Sequence, residues 1–278
     1  MDILPEERRV AILEQVGLQP VVRAEHLAQR FGVSVETIRR DLAALEREGL
    51  TRRVYGGVTR TVRRTEEAPF EQRRSANAEQ KRAMAIQAGL LVSPGDMCIM
   101  DVGTSVAQVA AQLPRTFHGL VITNSILVST ELAGRDGVDV VLSGGRVRRG
   151  DLACYGSQAE TFFGGFYGGK AFLGSGGVHP VVGLTDYYPE EVPMRQVILD
   201  HADQVYVMAD SSKLGQVAPI KVCDLSHVTA VITDDGVDEA VARSFEKAGV
   251  RLIVSPGLTG RDDARLRESP RSGSRRLP

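Results

Sequence analysis

Residues 33–58 read VSVETIRRDLAALEREGLTRRVYGGV, and the spacing of their apolar residues decides the fold of the first sixty positions. Ser34 suits a helix N-cap and Gly49 suits the stop beyond the C-terminus, so one helix is expected between them. With Ile38 placed at 0° and about 100° allowed per residue, Leu42 falls near 40° and Leu45 near −20°, a narrow apolar stripe. Glu36, Arg40, Ala43 and Arg47 fall at about 140–200°, on the far side, with Thr37 and Ala44 flanking them. An outward face that mixes arginines with alanines can approach an anionic groove closely. The major groove of DNA accepts such a helix and exposes its base edges to the helix's first turns. Phosphates would favour the helix N-terminus and Arg39.

The flanking sequence supports this reading. PEERRVAILEQVG (5–17) and RAEHLAQRFG (23–32) have helical apolar spacing, and Gly32-Val33-Ser34 supplies the turn of a helix-turn-helix. GLTRRVYGGVTR (49–60) predicts a hairpin in which Gly56-Gly57 provides the positive φ angles of a tight turn. Residues 50–65 contain Arg52, Arg53, Arg60, Arg63 and Arg64 and no acid, which suits a wing lying along phosphates. Residues 1–60 are therefore expected to form a winged helix-turn-helix. Read as a purely solvated helix, Glu36 and Arg40 would be only an i,i+4 ion pair.

The chain has 278 residues, 42% hydrophobic and 25% charged, with a net charge of −1 and 29 glycines. These values exclude wholesale disorder, and no apolar run is long enough to cross a bilayer. Cys98, Cys154 and Cys223 are odd in number and far apart, so neither a disulfide framework nor a Cys-x-x-Cys pair is expected. No metal site or cofactor motif is evident. The N-terminus has no apolar leader, so a cytoplasmic protein is expected.

Residues 61–80 have little apolar content and read as a linker entering a helix. From 81 to 258, apolar runs such as MCIMDV, KAFLG and QVYVMAD alternate with helical stretches, which predicts a doubly wound, mainly parallel α/β domain. Residues 259–278 are expected to be a disordered tail. Small-residue turns recur where strands should end: Asp101 with Gly103-Thr104-Ser105; Thr123-Asn124; Gly144-Gly145, with Arg148 nearby; Gly174-Ser175-Gly176; and Asp210 with Lys213. Helix N-termini and hydroxyls at such ends suit a small anion, and in an open parallel sheet these ends converge on one crevice. The enzymatic alternative, a sugar-phosphate isomerase, would use Asp101, Glu191 or Asp210 as base and Lys213 as electrophile. An isomerase has no use for a DNA-reading module, however. An architectural DNA binder would leave the larger domain idle.

The run 33–58 resembles the DNA-binding region of the DeoR family of bacterial transcription regulators, with Val33, Ser34 and Thr37 to Leu42 matching its recognition helix. The resemblance implies that Thr37, Arg39 and Arg40 contact DNA, and that Arg53 with Gly56-Gly57 forms the wing contact. Helix geometry ranks Arg40 above Arg39 for base reading and leaves Asp41 as a structural partner for an arginine. The likeness continues through Asp101–Ser105, Val121–Ser125, Gly144–Arg148, Phe172–Val178, Glu191–Arg195 and Ala209–Gly215. It implies a sensor domain akin to sugar-phosphate isomerases and a phosphorylated sugar or related metabolite as effector. A double-stranded operator with two half-sites needs two heads, so a homodimer or homotetramer is expected. Pro193 and Arg195 depart from the family pattern. Proline there is tolerable only in a first helical turn, and arginine in place of the usual lysine changes the donor geometry.

Overall fold

A computed structural model describes residues 5–18, 21–47, 51–54, 57–60 and 67–258. The chain divides into two compact units at Thr65/Glu66. In the first, α1 (Pro5–Leu18), α2 (Ala24–Phe31) and α3 (Val35–Arg47) precede the antiparallel pair β1 (Thr51–Val54) and β2 (Gly57–Arg60). The stripe Ile38, Leu42 and Leu45 is buried, against Ile12 and Val16 of α1, Leu27 of α2 and Val58 of β2. Gly32, at φ 64°, ends α2 in the left-handed conformation and turns the chain into α3. Asp41 accepts a 2.6 Å bond from Arg8 Nε, a buried ion pair that ties α3 to α1.

The hairpin differs from expectation at one glycine. Gly57 has no positive φ and lies within β2, opposite Val54. Space explains the glycine instead. Val22 and Val58 exchange backbone hydrogen bonds of 2.8 and 2.9 Å, and a Cβ at Gly57 would lie 2.4 Å from the Val22 carbonyl oxygen. Gly56 lies outside the described residues.

The second unit opens with α4 (Phe70–Ser75) and α5 (Ala78–Gly89). Its centre is a parallel sheet made by β3 (Met97–Met100), β4 (Gly119–Thr123), β5 (Val138–Leu142), β8 (Lys170–Leu173), β11 (Gln204–Met208), β13 (Ala230–Asp234) and β14 (Leu252–Ser255). The short hairpin β6 (Arg146–Val147) and β7 (Cys154–Tyr155) follows β5, and β9 (Gly177–His179), β10 (Gly183–Asp186) and β12 (Ile220–Cys223) form a small antiparallel sheet. Successive residues of the central strands point to opposite cores. Cys98, Met100, Phe172 and Met208 face α5, α6 (Thr104–Gln112) and α7 (Ile126–Leu132). Ile99, Ala171, Leu173 and Val207 face α8 (Ser157–Phe163), α9 (Val192–His201) and α10 (Glu239–Lys247). A sheet buried on both faces explains the uninterrupted apolar runs. No described helix is long and apolar enough to cross a membrane.

The strand order is β14-β13-β11-β8-β3-β4-β5, so the chain winds outward one way from β3 and then returns to wind the other way from β8. The connections diverge above the carboxyl ends of β3 and β8, which opens a crevice there. The boundary of this unit corrects the expected linker. Residues 67–80 belong to it: Phe70 is buried, and Lys81 Nζ donates to the Arg73 and Ala76 carbonyls, closing the end of α4. Pro193 falls in the first turn of α9, where no helical N–H is lost. Residues 61–66 and the tail 259–278 lie outside the described residues.

Candidate functional site

The outward face of α3 is built from exposed charges on a capped helix. The Thr37 N–H donates to Ser34 Oγ at 3.1 Å, and the two hydroxyl oxygens are 2.8 Å apart, so Ser34 serves as the N-cap. Glu36 lies 4.0 Å from Arg39 and 3.9 Å from Arg40, contacts too long and too solvated to hold either arginine. The Arg40 side chain is 80% exposed and that of Arg39 is 61% exposed. Arg53 is tied to α3: its N–H donates to Glu46 Oε1 at 3.2 Å and its guanidinium lies 3.2 Å from Oε2. Arg52 is half-buried on β1. The Arg47 side chain lies outside the described residues, as does Gly56.

In the second unit a cleft opens at the divergence of β3 and β8. Gly103, Thr104, Ser105, Arg148, Gly174, Ser175, Glu191, Arg195 and Lys213, all expected from sequence, line it together. Gly103 adopts φ 116°, a conformation costly to side-chain-bearing residues, and swings the chain from β3 into α6. Thr104 and Ser105 are buried, yet neither hydroxyl bonds to a described residue, and the first N–H groups of α6 have no side-chain cap. Lys213 Nζ donates to the Ser175 carbonyl across the cleft.

The remaining cations are already matched. Arg195 is 2% exposed and meets Asp101 Oδ2 at 2.8 Å, Glu191 Oε2 at 2.9 Å and Asp186. Arg148 meets Asp151, Glu190 at 3.4 Å and Glu191, with its guanidinium 3.5 Å from the centre of the Tyr188 ring. Burial pushes the Glu191 carboxyl up to about 7, and the nearby Asp186 and Asp101 add to the rise, against Arg195 and Arg148. Burial also raises Asp186, but Arg195 outweighs it and holds this carboxyl below its ordinary value. Arg73, Arg148, Arg195 and Lys213 thus share the lining with Glu67, Asp151, Asp186 and Glu191, and Asp101 stands behind Arg195. Near neutrality, net charge draws no anion into this cleft. An anion bound there would have to be held by directional donors.

Several expected residues lie elsewhere. Thr123 Oγ1 donates to the Met100 carbonyl at 2.6 Å and accepts the Ser125 N–H, locking β4 to β3. Asn124 donates to the Cys154 carbonyl at 3.3 Å and anchors β7. Gly144 and Gly145, at φ 68° and 100°, turn the chain toward β6, and a Cβ at Gly145 would strike the Tyr155 carbonyl. Gly176 is pressed against Asp186 and Tyr187. Asp210 caps the 211–213 turn and accepts from Asn77 Nδ2 at 3.2 Å. The lining also holds Glu67, Arg73, Asp151, Asp186 and Tyr188, which sequence reasoning missed. Asp151 follows Arg148 by three positions and was within reach of a charge-pattern reading. Glu67 and Arg73 were hidden in the supposed linker.

The DeoR-like helix-turn-helix domain matches residues 8–64, and the DeoR C-terminal sensor domain matches residues 76–235. Relatives align along nearly their whole lengths. HTH-type transcriptional regulator GlpR of Haloferax volcanii is 33% identical, over 90% of this chain and 98% of its own. HTH-type transcriptional repressor GlcR of Bacillus subtilis is 29% identical, over 92% and 99%. Among solved structures, ribose 5 phosphate isomerase A from Neisseria gonorrhoeae overlaps 48% of this chain and 52% of its own at 17% identity and a TM-score of 0.33, too distant to carry a ligand or reaction across. Both relatives carry the names of transcriptional regulators, and the chain belongs to the DeoR family of helix-turn-helix transcriptional regulators.

Proposed function

We propose that the chain is a repressor of a carbohydrate-metabolism operon, released from its operator when a phosphorylated sugar or related metabolite enters the cleft of the sensor unit. The observation that carries the metabolite reading is the α6 N-terminus. N–H groups without a side-chain cap and two hydroxyls without partners among the described residues are grouped with Lys213 at the point where the strand order reverses. A helix N-terminus with such donors favours a phosphate over the neutral parent sugar. Arg148 and Tyr188, on the same wall, suit the polyol body of the ligand. In the reading head, Arg40 and Thr37 meet base edges, and Ser34, Glu36, Arg39, Arg47, Arg52, Arg53, Gly56 and Gly57 lie at or beside the backbone. An operator with two half-sites is read by two heads, which implies a homodimer or homotetramer.

The test is a thermal-shift screen of phosphorylated sugars beside their unphosphorylated parents, followed by operator release with each hit. Binding to the folded state alone raises the melting temperature. A phosphorylated ligand should raise it and release DNA while its parent does neither. Equal shifts from both members of each pair would refute a phosphate site.

A further inference from the structure

Glu67 is the first described residue after the stretch that joins the two units in sequence. Its carboxylate lies 3.0 Å from Arg73 NH2, and both side chains line the cleft with 9% and 14% exposure. Arg73 Nε donates to the Ala68 carbonyl at 2.9 Å, so this guanidinium holds two successive residues at the very start of the unit. The contrast with the other arginines is informative. Arg148 and Arg195 are each fixed by three carboxylates, among them Asp101 at the end of β3 and Asp186 in β10. Arg73 has Glu67 as its carboxylate partner, and Glu67 hangs on three non-helical residues, 67–69. Burial raises the Glu67 carboxyl, against Arg73, and the charge on Asp186 raises it further. The ionised group is therefore held in place at a cost that ends when it leaves. Arg73 itself is well anchored, because Lys81 Nζ donates to its carbonyl and Asn77 ties the start of α5 to Asp210.

We propose that Glu67 is an internal competitor for the anionic group of the effector: its carboxylate and a phosphate contend for the same position beside Arg73, and phosphate entry frees residues 67–69 from the cleft wall. This deepens the reading of the cleft as a phosphate site and rests on it. Exchange at Glu67 links occupancy of the cleft to the chain that runs on, through residues 61–66, to the DNA-reading unit. A ligand acts as a switch only through such a difference in contacts between two arrangements.

Titration of the full-length protein with inorganic phosphate tests this. Glu67→Asp keeps the charge but withdraws it by one methylene from Arg73, and Glu67→Gln removes the charge. Competition requires both variants to bind phosphate more tightly than the wild type, by about three- to tenfold, or roughly 0.7–1.4 kcal/mol. Lys213→Ala should bind it more weakly. If Glu67→Asp binds as the wild type does, the competitor is refuted even if Glu67→Gln tightens, because only bulk repulsion has then been removed. If wild type and variants all fail to bind phosphate at tens of millimolar, the phosphate reading of the cleft falls with it. Hydrogen exchange on the wild type keeps the proposal testable should a variant misfold. Amides in 67–72 should exchange faster with phosphate while those of α5 do not, and an unchanged segment would overturn the proposal.

Discussion

At the residue scale, exposure and pairing separate the arginines of the two units. Arg40 has one long, solvated contact to Glu36, which does not hold it, and is 80% exposed on the outward face of α3. Arg40→Ala should cost about 1–3 kcal/mol of operator affinity and relax sequence preference at one position, as read by competition between operator variants. A uniform loss on every sequence would assign it to phosphate contact instead. Glu191 supplies a pH signature. Its carboxyl titrates near 7 in the folded protein and near 4.5 unfolded, so between those values the native state binds more protons. Stability from this group is therefore present at low pH and lost as pH rises from about 4.5 to 7. Denaturant titrations should show the wild type losing more stability than Glu191→Gln between pH 5 and 7.5, and parallel curves would contradict the assignment.

At the element scale, the turns carry the constraints. Gly57→Ala would drive a Cβ into the Val22 carbonyl, so the hairpin should part from Val22 and the reading head should lose about 1–3 kcal/mol. Thermal melting of this variant tests the loss, and an unchanged melting point would show that β2 has room. Gly103 differs: no atom lies within 4 Å of a Cβ there, but its φ of 116° strains any side-chain-bearing residue. Gly103→Val should abolish the response to effector while leaving DNA binding intact, measured as operator release on adding the ligand found by the screen. The stripe Ile38, Leu42 and Leu45 could be read from one helix because all its partners obey a single period. The strand-end loops at Gly103 and Gly174 were legible for a similar reason, since small residues punctuate each apolar run. Thr123 and Asn124 look the same in sequence, yet they bond to β3 and β7, and no local pattern separates a turn that faces the cleft from one that braces a neighbour. Asp101 and Arg195 meet across 94 positions, and Glu67 and Arg73 sit in a stretch whose polarity imitates a linker. The first pairing depends on strand order, which local sequence does not encode; the second was masked by polarity alone.

At the scale of the whole molecule, two cores serve two tasks. One is gathered behind α3, and the other is divided by the parallel sheet. Removing Arg52 or Arg53 should weaken binding to all DNA sequences and flatten the dependence of affinity on salt, because each phosphate contact releases counterions. A salt slope unchanged by either substitution would remove the hairpin from the interface. The body is built on the opposite plan. Its buried guanidiniums carry their counter-charges inside the fold, where dissolved ions screen them poorly. For a repressor of the kind proposed, osmotic stress that concentrates the cell's electrolytes would thus loosen the grip on the genome while leaving metabolite detection largely intact, biasing the regulated genes toward expression without any change in nutrient supply.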